Sequence, residues 1–216
     1  MSYHIAFLTY DWNTEIAGQF TRGIHRFLDE HPDVKVHVFT GFGSYRIDDE
    51  EKAALQIFNL PYLSGYDAVI LQGNRIWNLE KRAKLVERAR SEGVPVVSIN
   101  YPLDGTVVVG TDNYEASYEL TKHLIVGHHC HSIAVLAGLP TSKEAQIRKK
   151  AVYACCAEYG IANVKSYGNE WDEEYGALAV KEMIAEGNVP EGIVCGNDNL
   201  AYGAETELLK NDIRVP

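Results

Sequence analysis

Short apolar runs alternate with segments of helical periodicity along the whole chain, and this alternation restricts the possible folds more than any other feature. The apolar runs predict strands at residues 3–9, 34–40, 66–72, 94–99, 106–109, 133–136, 164–167 and 192–195. Helical patterns separate most of these runs. Strands that alternate with helices in this way predict parallel sheets with helices on both faces, so the expected class is α/β.

Capping residues place the starts of several helices. Asp112 is followed three residues later by Glu115, and Thr141 by Glu144. Both pairs have the spacing of a capping box, in which the first side chain accepts a backbone N–H of the first helical turn. Asp198 stands where the last helix begins, a position at which aspartate is commonly an N-cap.

The strand and helix pattern occurs twice, which predicts two lobes. We expect an N-terminal α/β lobe over residues 1–103, a hinge crossover over 104–112 and a C-terminal α/β lobe over 113–216. Ligands of open parallel sheets bind outside the carboxyl ends of the strands. The sequence therefore predicts a ligand cleft between the two lobes.

Amides, carboxylates and tryptophans follow the predicted strands. The candidate contacts read from these positions are Asp11, Trp12, Asn13, Asn74, Asn100, Trp171, Asn197 and Asp198, with Trp77 close by. Aromatic faces and hydrogen-bonding amides suit a polyhydroxylated ligand such as a sugar. Each position also has an ordinary structural explanation, because aspartates cap helices and tryptophans are often half-buried in loops. Arg148, beside two lysines on a helix, is by position alone a solvated charge.

Charge and composition exclude other classes. The net charge of −10, with no basic stripe to offset it, argues against nucleic-acid contact by this segment. The four cysteines have no disulfide-framework spacing, so we expect free thiols and a cytoplasmic protein. The amino-terminal residues do not have the pattern of a secretory signal, and no apolar run has membrane-spanning length.

Three segments, in order, resemble the LacI/GalR-type regulators and the related type 1 periplasmic binding proteins. They are VVVGTDNYEASYELTKHLI, IAVLAGLPTSKEAQIRKKAVYACCAEYGI and EGIVCGNDNLAYGAETELLKNDIRVP. GVPVVSIN, earlier in the chain, is similar to the strand that precedes the hinge in that family. The likeness covers most of the chain.

The resemblance implies a type 1 periplasmic-binding-protein fold, in which two Rossmann-like lobes close on a small ligand, often a sugar or a nucleoside. Position by position, Arg148 matches the ligand-gripping arginine and Asp198 the cleft aspartate. Asn13 and Asn100 fall near contact positions of the first lobe. The family also implies a homodimer, and a ligand-sensing domain of a cytoplasmic bacterial regulator.

The chain departs from the family pattern in several places. Its first strand begins at residue 3, so we expect no DNA-reading helix-turn-helix, and the final crossover is expected to be missing beyond residue 216. Ala151 stands where the family often has glycine. The opening TYDWN is similar to a sensor branch that some bacteria fuse ahead of a diguanylate cyclase domain.

Two alternatives to a ligand-sensing domain stay open from the sequence. A solute-binding protein of a transporter would share the fold. An enzyme would need an acid/base pair, for which Asp11, Glu15 and Glu170 are the candidates. The run of residues 128–131 (HHCH) contains metal-ligand types, but no second ligand set has zinc-site spacing. We therefore expect a binding domain without cofactor or metal.

Overall fold

The chain folds into two compact units, residues Met1–Thr111 and Asp112–Pro216. The computed structural model describes residues 2–10, 15–42, 49–76 and 78–215. Each unit is an α/β structure with one parallel sheet, as predicted.

The first unit is built on a five-stranded parallel sheet. Its strands are β1 (Tyr3–Tyr10), β2 (Val34–Gly41), β3 (Ala68–Leu71), β4 (Val96–Ile99) and β5 (Val107–Val109). Their order in the sheet is β2-β1-β3-β4-β5. Because β1 lies between β2 and β3, successive connections run to opposite sides of the sheet from this point. Residues 107–109, which the sequence analysis assigned to the hinge, form the edge strand paired with β4.

Helices and short turns cover this sheet. They are α1 (Glu15–Glu30), α2 (Asp49–Ala54), the 3₁₀ turns Leu55–Asn59 and Leu63–Gly65, and α3 (Leu79–Ser91). The main core of the unit joins one face of the sheet to the 3₁₀ turns and α3, through Leu8, Leu71, Phe58 and Leu85 among others.

The second unit has a three-stranded parallel sheet with the order β7-β6-β8. The strands are β6 (Ile133–Leu136), β7 (Lys165–Tyr167) and β8 (Gly192–Cys195). The helices are α4 (Asn113–Lys122), α5 (Lys143–Glu158), α6 (Glu173–Ala185) and α7 (Asp198–Lys210). A single π-helical turn, His123–Gly127, extends α4.

Both faces of the central strand β6 are buried. Ala134 and Leu136 belong to a cluster with residues of α6 and α7, such as Met183 and Leu200. Ile133 and Val135 belong to a second cluster, which includes Val152 and Cys156 of α5. Alternate side chains of a strand point to opposite faces, so an unbroken apolar run such as IAVL is what a strand covered on both sides requires.

The caps of the helices show which local predictions hold. Asp112 caps α4 as predicted, accepting hydrogen bonds from the N–H groups of Tyr114 (3.1 Å) and Glu115 (3.0 Å). The prediction of Thr141 as a cap is wrong, because Ser142 accepts the bond from Ala145 N at 3.2 Å. In the last helix the N-cap is Asn197, one residue before Asp198. At the start of α5 and at the start of α7, two residues that can cap a helix are neighbours in sequence. The local pattern does not decide which of the two forms the cap.

The four cysteines are free thiols, and burial raises the pKa of Cys156 to about 11 and that of Cys195 to about 12. Within the described parts of the chain, none of the helices is long and apolar enough to cross a membrane.

Helices α6 and α7 touch backbone to backbone. A Cβ added at Gly203 would overlap the carbonyl group of Glu173, and one added at Gly176 would overlap that of Leu200. Glycine at these two positions therefore sets how closely the helices approach, and their close contact helps to hold Leu200 and Met183 against the sheet.

We expect Gly203→Ala to lower the free energy of unfolding by about 1–3 kcal/mol, because a methyl group there must push two backbones apart. The matched control is Gly23→Ala in α1, where an added Cβ meets nothing within 4 Å. That change should stabilise by about 0.5–1 kcal/mol, since alanine is the better helix former. Urea denaturation measures both, and equal stabilities of the two variants would contradict this account of α6–α7 packing.

Candidate functional site

The strand order of the second unit marks where its functional site belongs. β6 lies between β7 and β8, so the connections leave the carboxyl ends of β6 and β8 toward opposite sides of the sheet. In doubly wound sheets ligands bind at this switch point. Here the two strand ends continue into Ala137-Gly138 and Gly196-Asn197.

Arg148 of α5 reaches this switch point. Its Nη1 donates a hydrogen bond to the carbonyl of Gly196, directly after β8, and its Nε donates to Asn113 Oδ1 at 2.8 Å. The side chain is half-buried, and Nη2 makes no hydrogen bond to any described residue. Two bonds therefore hold the guanidinium in place while one terminal nitrogen keeps its donors for another group.

The indole ring of Trp171 lies against the two glycines at the switch point. A Cβ at Gly196 would come within 3.0 Å of Trp171 Cζ3, and a Cβ at Gly138 would overlap the same ring. Gly138 has a φ of +80°, which also favours glycine. The ring is half-buried and contacts the core at its edge. The strand ends are thus shaped to seat an aromatic ring against Gly196, the residue whose carbonyl accepts from Arg148.

Asn197 and Asp198 are neighbours in sequence with different roles. Asn197 Oδ1 accepts from Leu200 N at 2.9 Å, and its Nδ2 donates to the carbonyl of Trp171 at 2.9 Å. Its amide is thereby committed to capping α7 and holding the Trp171 loop. Asp198 is exposed, and its side chain makes no hydrogen bond or ion pair to the described residues. Its carboxylate, in the first turn of α7, is available to a ligand and is favoured there by the helix dipole.

In the first unit the equivalent switch point lies between β1 and β3. Thr9, at the end of β1, donates its hydroxyl proton to Gln72 Oε1 just after β3, and both side chains are buried. Asn74 follows, and its Oδ1 is buried without a hydrogen-bond partner among the described residues. The side-chain amide oxygen of Asn74 is therefore an unsatisfied acceptor at this strand end.

Asn100, after β4, has a local structural role. Its φ of 56° is in the left-handed region, which asparagine tolerates better than most residues. Its backbone N–H donates to Val109 O at 2.9 Å, so it helps to fasten the edge strand β5. Three other predicted contacts, Asp11, Trp12 and Asn13, lie outside the described residues, as does Trp77.

Arg82 and Asn113 are positioning residues that the sequence analysis missed. Arg82 is only 4% exposed, donates from Nη1 to the Gly73 carbonyl at 2.6 Å, and lies 3.8 Å over the ring of Tyr101. Its helical spacing to Leu85 and Val86 puts it on the apolar face of α3, which is a readable signal. Asn113 holds Arg148, and it follows the predicted cap directly.

Comparison with known proteins agrees with this geometry. The model of the periplasmic binding protein domain family matches residues 5–214. This chain belongs to the periplasmic binding protein domain family.

Its relatives include repressors and sugar-binding proteins. The probable transcriptional repressor ExuR of Bacillus subtilis is 25% identical over 155 residues, which cover 70% of this chain and 45% of that protein. A solute-binding protein from Actinobacillus succinogenes with bound D-allose superposes with a TM-score of 0.76 at 21% identity, covering 98% of this chain and 75% of that one. A lac repressor dimer bound to operator and the anti-inducer ONPF has a TM-score of 0.78 at 19% identity, with coverages of 100% and 72%.

These comparisons confirm the resemblance to LacI/GalR-type regulators and the type 1 periplasmic-binding-protein fold. The expectation that this periplasmic-binding-protein domain is not an enzyme agrees with relatives that are repressors and sugar-binding proteins. The chain spans less than half the length of the ExuR repressor. The individual ligand contacts stay predictions.

We expect Asn197→Ala to destabilise the second unit by about 1–2 kcal/mol, because it removes the N-cap of α7 and the bond to the Trp171 carbonyl together. The neighbouring exposed Asn199 supplies the control, and Asn199→Ala should change stability by less than about 0.5 kcal/mol. Thermal and urea unfolding followed by circular dichroism measure both. An Asn197→Ala protein as stable as the control would show that the capping geometry carries little free energy.

Proposed function

We propose that this chain is the ligand-sensing domain of a cytoplasmic bacterial regulator of transcription or signalling, and that its ligand is a small polar molecule of the sugar or nucleoside class. The family and its repressor and sugar-binding relatives support the general role. The arrangement of Arg148 at the second unit's switch point supports the ligand class.

The anchored Arg148 guanidinium carries the proposal. Its unused Nη2 presents donors in a fixed direction, which suits the hydroxyls of a sugar or ribose. Trp171, which lies against Gly196 at the same strand end, offers an apolar face for the C–H side of a sugar ring or for a base. Asp198 adds a carboxylate acceptor for hydroxyl groups. Donor, acceptor and aromatic face thus gather at one strand edge.

We further propose Asp11, Trp12, Asn13, Asn74 and Asn100 as ligand contacts of the first unit. The buried, unpaired Oδ1 of Asn74 at the β1–β3 switch point supports Asn74, and the other four rest on their positions after the strands in the sequence. A hydroxyl or amide of a ligand would satisfy that oxygen, and leaving it unpaired costs free energy.

A thermal-shift screen against sugars, nucleosides and amino acids tests the proposed function. A ligand at about 100 times its Kd should add about 2.7 kcal/mol, which for this size raises Tm by roughly 5–10 °C. We expect a clear shift from one sugar or nucleoside class, abolished or strongly reduced in Asp198→Ala and in Arg148→Ala.

Asn199→Ala is the matched control for Asp198→Ala, since both residues are exposed in the first turn of α7. The control should keep the full ligand shift. A shift that survives both Asp198→Ala and Arg148→Ala, or a response only to amino acids, would refute the site or the ligand class, respectively.

We also propose that the protein is a homodimer, on the support of a solved relative that is itself a dimer. Sedimentation equilibrium of the chain at micromolar concentration should give twice the monomer mass of 24.1 kDa. A concentration-independent monomer mass would reject dimerisation of this chain.

A further inference from the structure

Two histidines at the end of α4 face each other through the same ring atom. The Nε2 atoms of His123 and His128 are 3.0 Å apart, and their rings are nearly perpendicular, at 82° with centroids 4.7 Å apart. Both side chains are exposed. The ring nitrogens of His123 and His128 make no other hydrogen bond to the described residues.

The π-helical turn creates this pair. Residues five apart do not face each other on a regular α-helix, where neighbours on one face are three or four apart. Here the His128 N–H is shared between the carbonyls of His123 and Leu124, both at 3.3 Å, and the first of these is the i→i+5 bond of a π turn. The wider turn stacks position 128 over position 123. Single π turns inside α-helices are frequent at functional sites.

Gly127 leaves room for the ring of His123. A Cβ at Gly127 would lie 3.2 Å from His123 Nδ1 and 3.3 Å from Cε1, closer than ordinary van der Waals contact. Glycine at this position therefore lets the imidazole lie across the turn and direct Nε2 toward His128.

The separation of the two nitrogens fits a shared metal ion. With metal–nitrogen bonds of about 2.05 Å, two Nε2 atoms 3.0 Å apart subtend an angle of about 94° at the metal. That is close to the angle of about 90° between adjacent ligands of square-planar or octahedral Ni²⁺ and Cu²⁺, for which imidazole is a favoured ligand. The protein's net charge of −10 also favours cations near its surface.

We propose that His123 and His128 form a two-histidine site for a divalent transition-metal ion, with water completing the coordination. The described residues contain no group of three or more histidine, cysteine or acidic side chains that could hold a metal, so the protein supplies two ligands. The side chains of Cys130 and His131 do not join this pair around one point. Cys130 is buried, with its thiol 3.6 Å from the Glu191 carbonyl. His131 Nδ1 lies 3.5 Å from Glu191 Oε2.

The site is separate from the proposed ligand contacts. His128 belongs to the loop that enters β6 at its amino end, whereas Gly138 follows its carboxyl end, roughly 10 Å away along the strand. Metal binding at the pair and ligand binding at the strand ends are therefore separable in experiments.

Titration of the untagged protein with NiCl₂ by isothermal calorimetry tests the site. We expect one Ni²⁺ per chain, and affinity at least about tenfold weaker in His123→Ala and in His128→Ala, because even changes outside the ligand shell cost that much. His25→Ala, which removes an exposed histidine of α1, is the control and should bind like the wild type.

Amide NMR spectra locate the ion independently. Ni²⁺ that is octahedral, with water completing its coordination, is paramagnetic and should broaden signals of residues 122–129 first, in the wild type and in His25→Ala alike. No Ni²⁺ binding by the wild type, or binding that both alanine variants at 123 and 128 retain, would overturn the proposal and leave the pair as an imidazole–imidazole hydrogen bond. Circular dichroism confirms that the variants are folded, which exposed histidine substitutions should allow.

Discussion

The hydrogen bond from Arg148 to the Gly196 carbonyl ties the candidate site to the sheet. It joins α5 to the end of β8, while the bond to Asn113 joins the same guanidinium to α4. A hydrogen bond from a charged donor is stronger than one from a neutral donor. The bond therefore fixes the position of the arginine and also links α5 to the end of β8. Trp171 rests on the same glycine. A Cβ at position 196 would meet the Ala137 carbonyl at 2.9 Å and Trp171 Cζ3 at 3.0 Å, so a larger residue there would disturb the aromatic face.

Adjacent polar residues at one strand end have different roles: one stabilises the structure and the other is available to a ligand. The amide oxygen of Asn197 accepts the capping hydrogen bond of α7, and its amide nitrogen donates to the carbonyl of Trp171. Asp198 makes no such bond, and its carboxylate faces solvent. The same division occurs where Asp112 caps α4 and Asn113 beside it holds Arg148. A cap needs one side chain to satisfy the backbone donors of the first turn, so the neighbouring residue's side chain is not required for that role.

Local sequence predicted the elements well, because apolar periodicity reports burial directly. The run IAVL had to be a strand covered on both faces, and it is. Element ends were less predictable: the run at 66–72 forms a strand only over Ala68–Leu71, and Ser142 caps α5 in place of Thr141. Such choices between neighbours depend on free-energy differences that packing decides. The buried Arg82 lay on a readable apolar face, but its target, the Gly73 carbonyl, is set by tertiary structure.

The sequence by itself determined the α/β class, the repeated pattern and the strand ends where polar residues collect, because these follow from periodicity and chain order. Tertiary structure alone decided which of those residues are available. By sequence position alone, Arg148 is a solvated charge. In the fold it donates a hydrogen bond to the carbonyl of Gly196, 48 positions away. His123 and His128 face each other only because a π turn replaces the last α-helical turn. Hydrogen bonds between distant residues and the pitch of a single turn depend on packing around them, which no local pattern encodes.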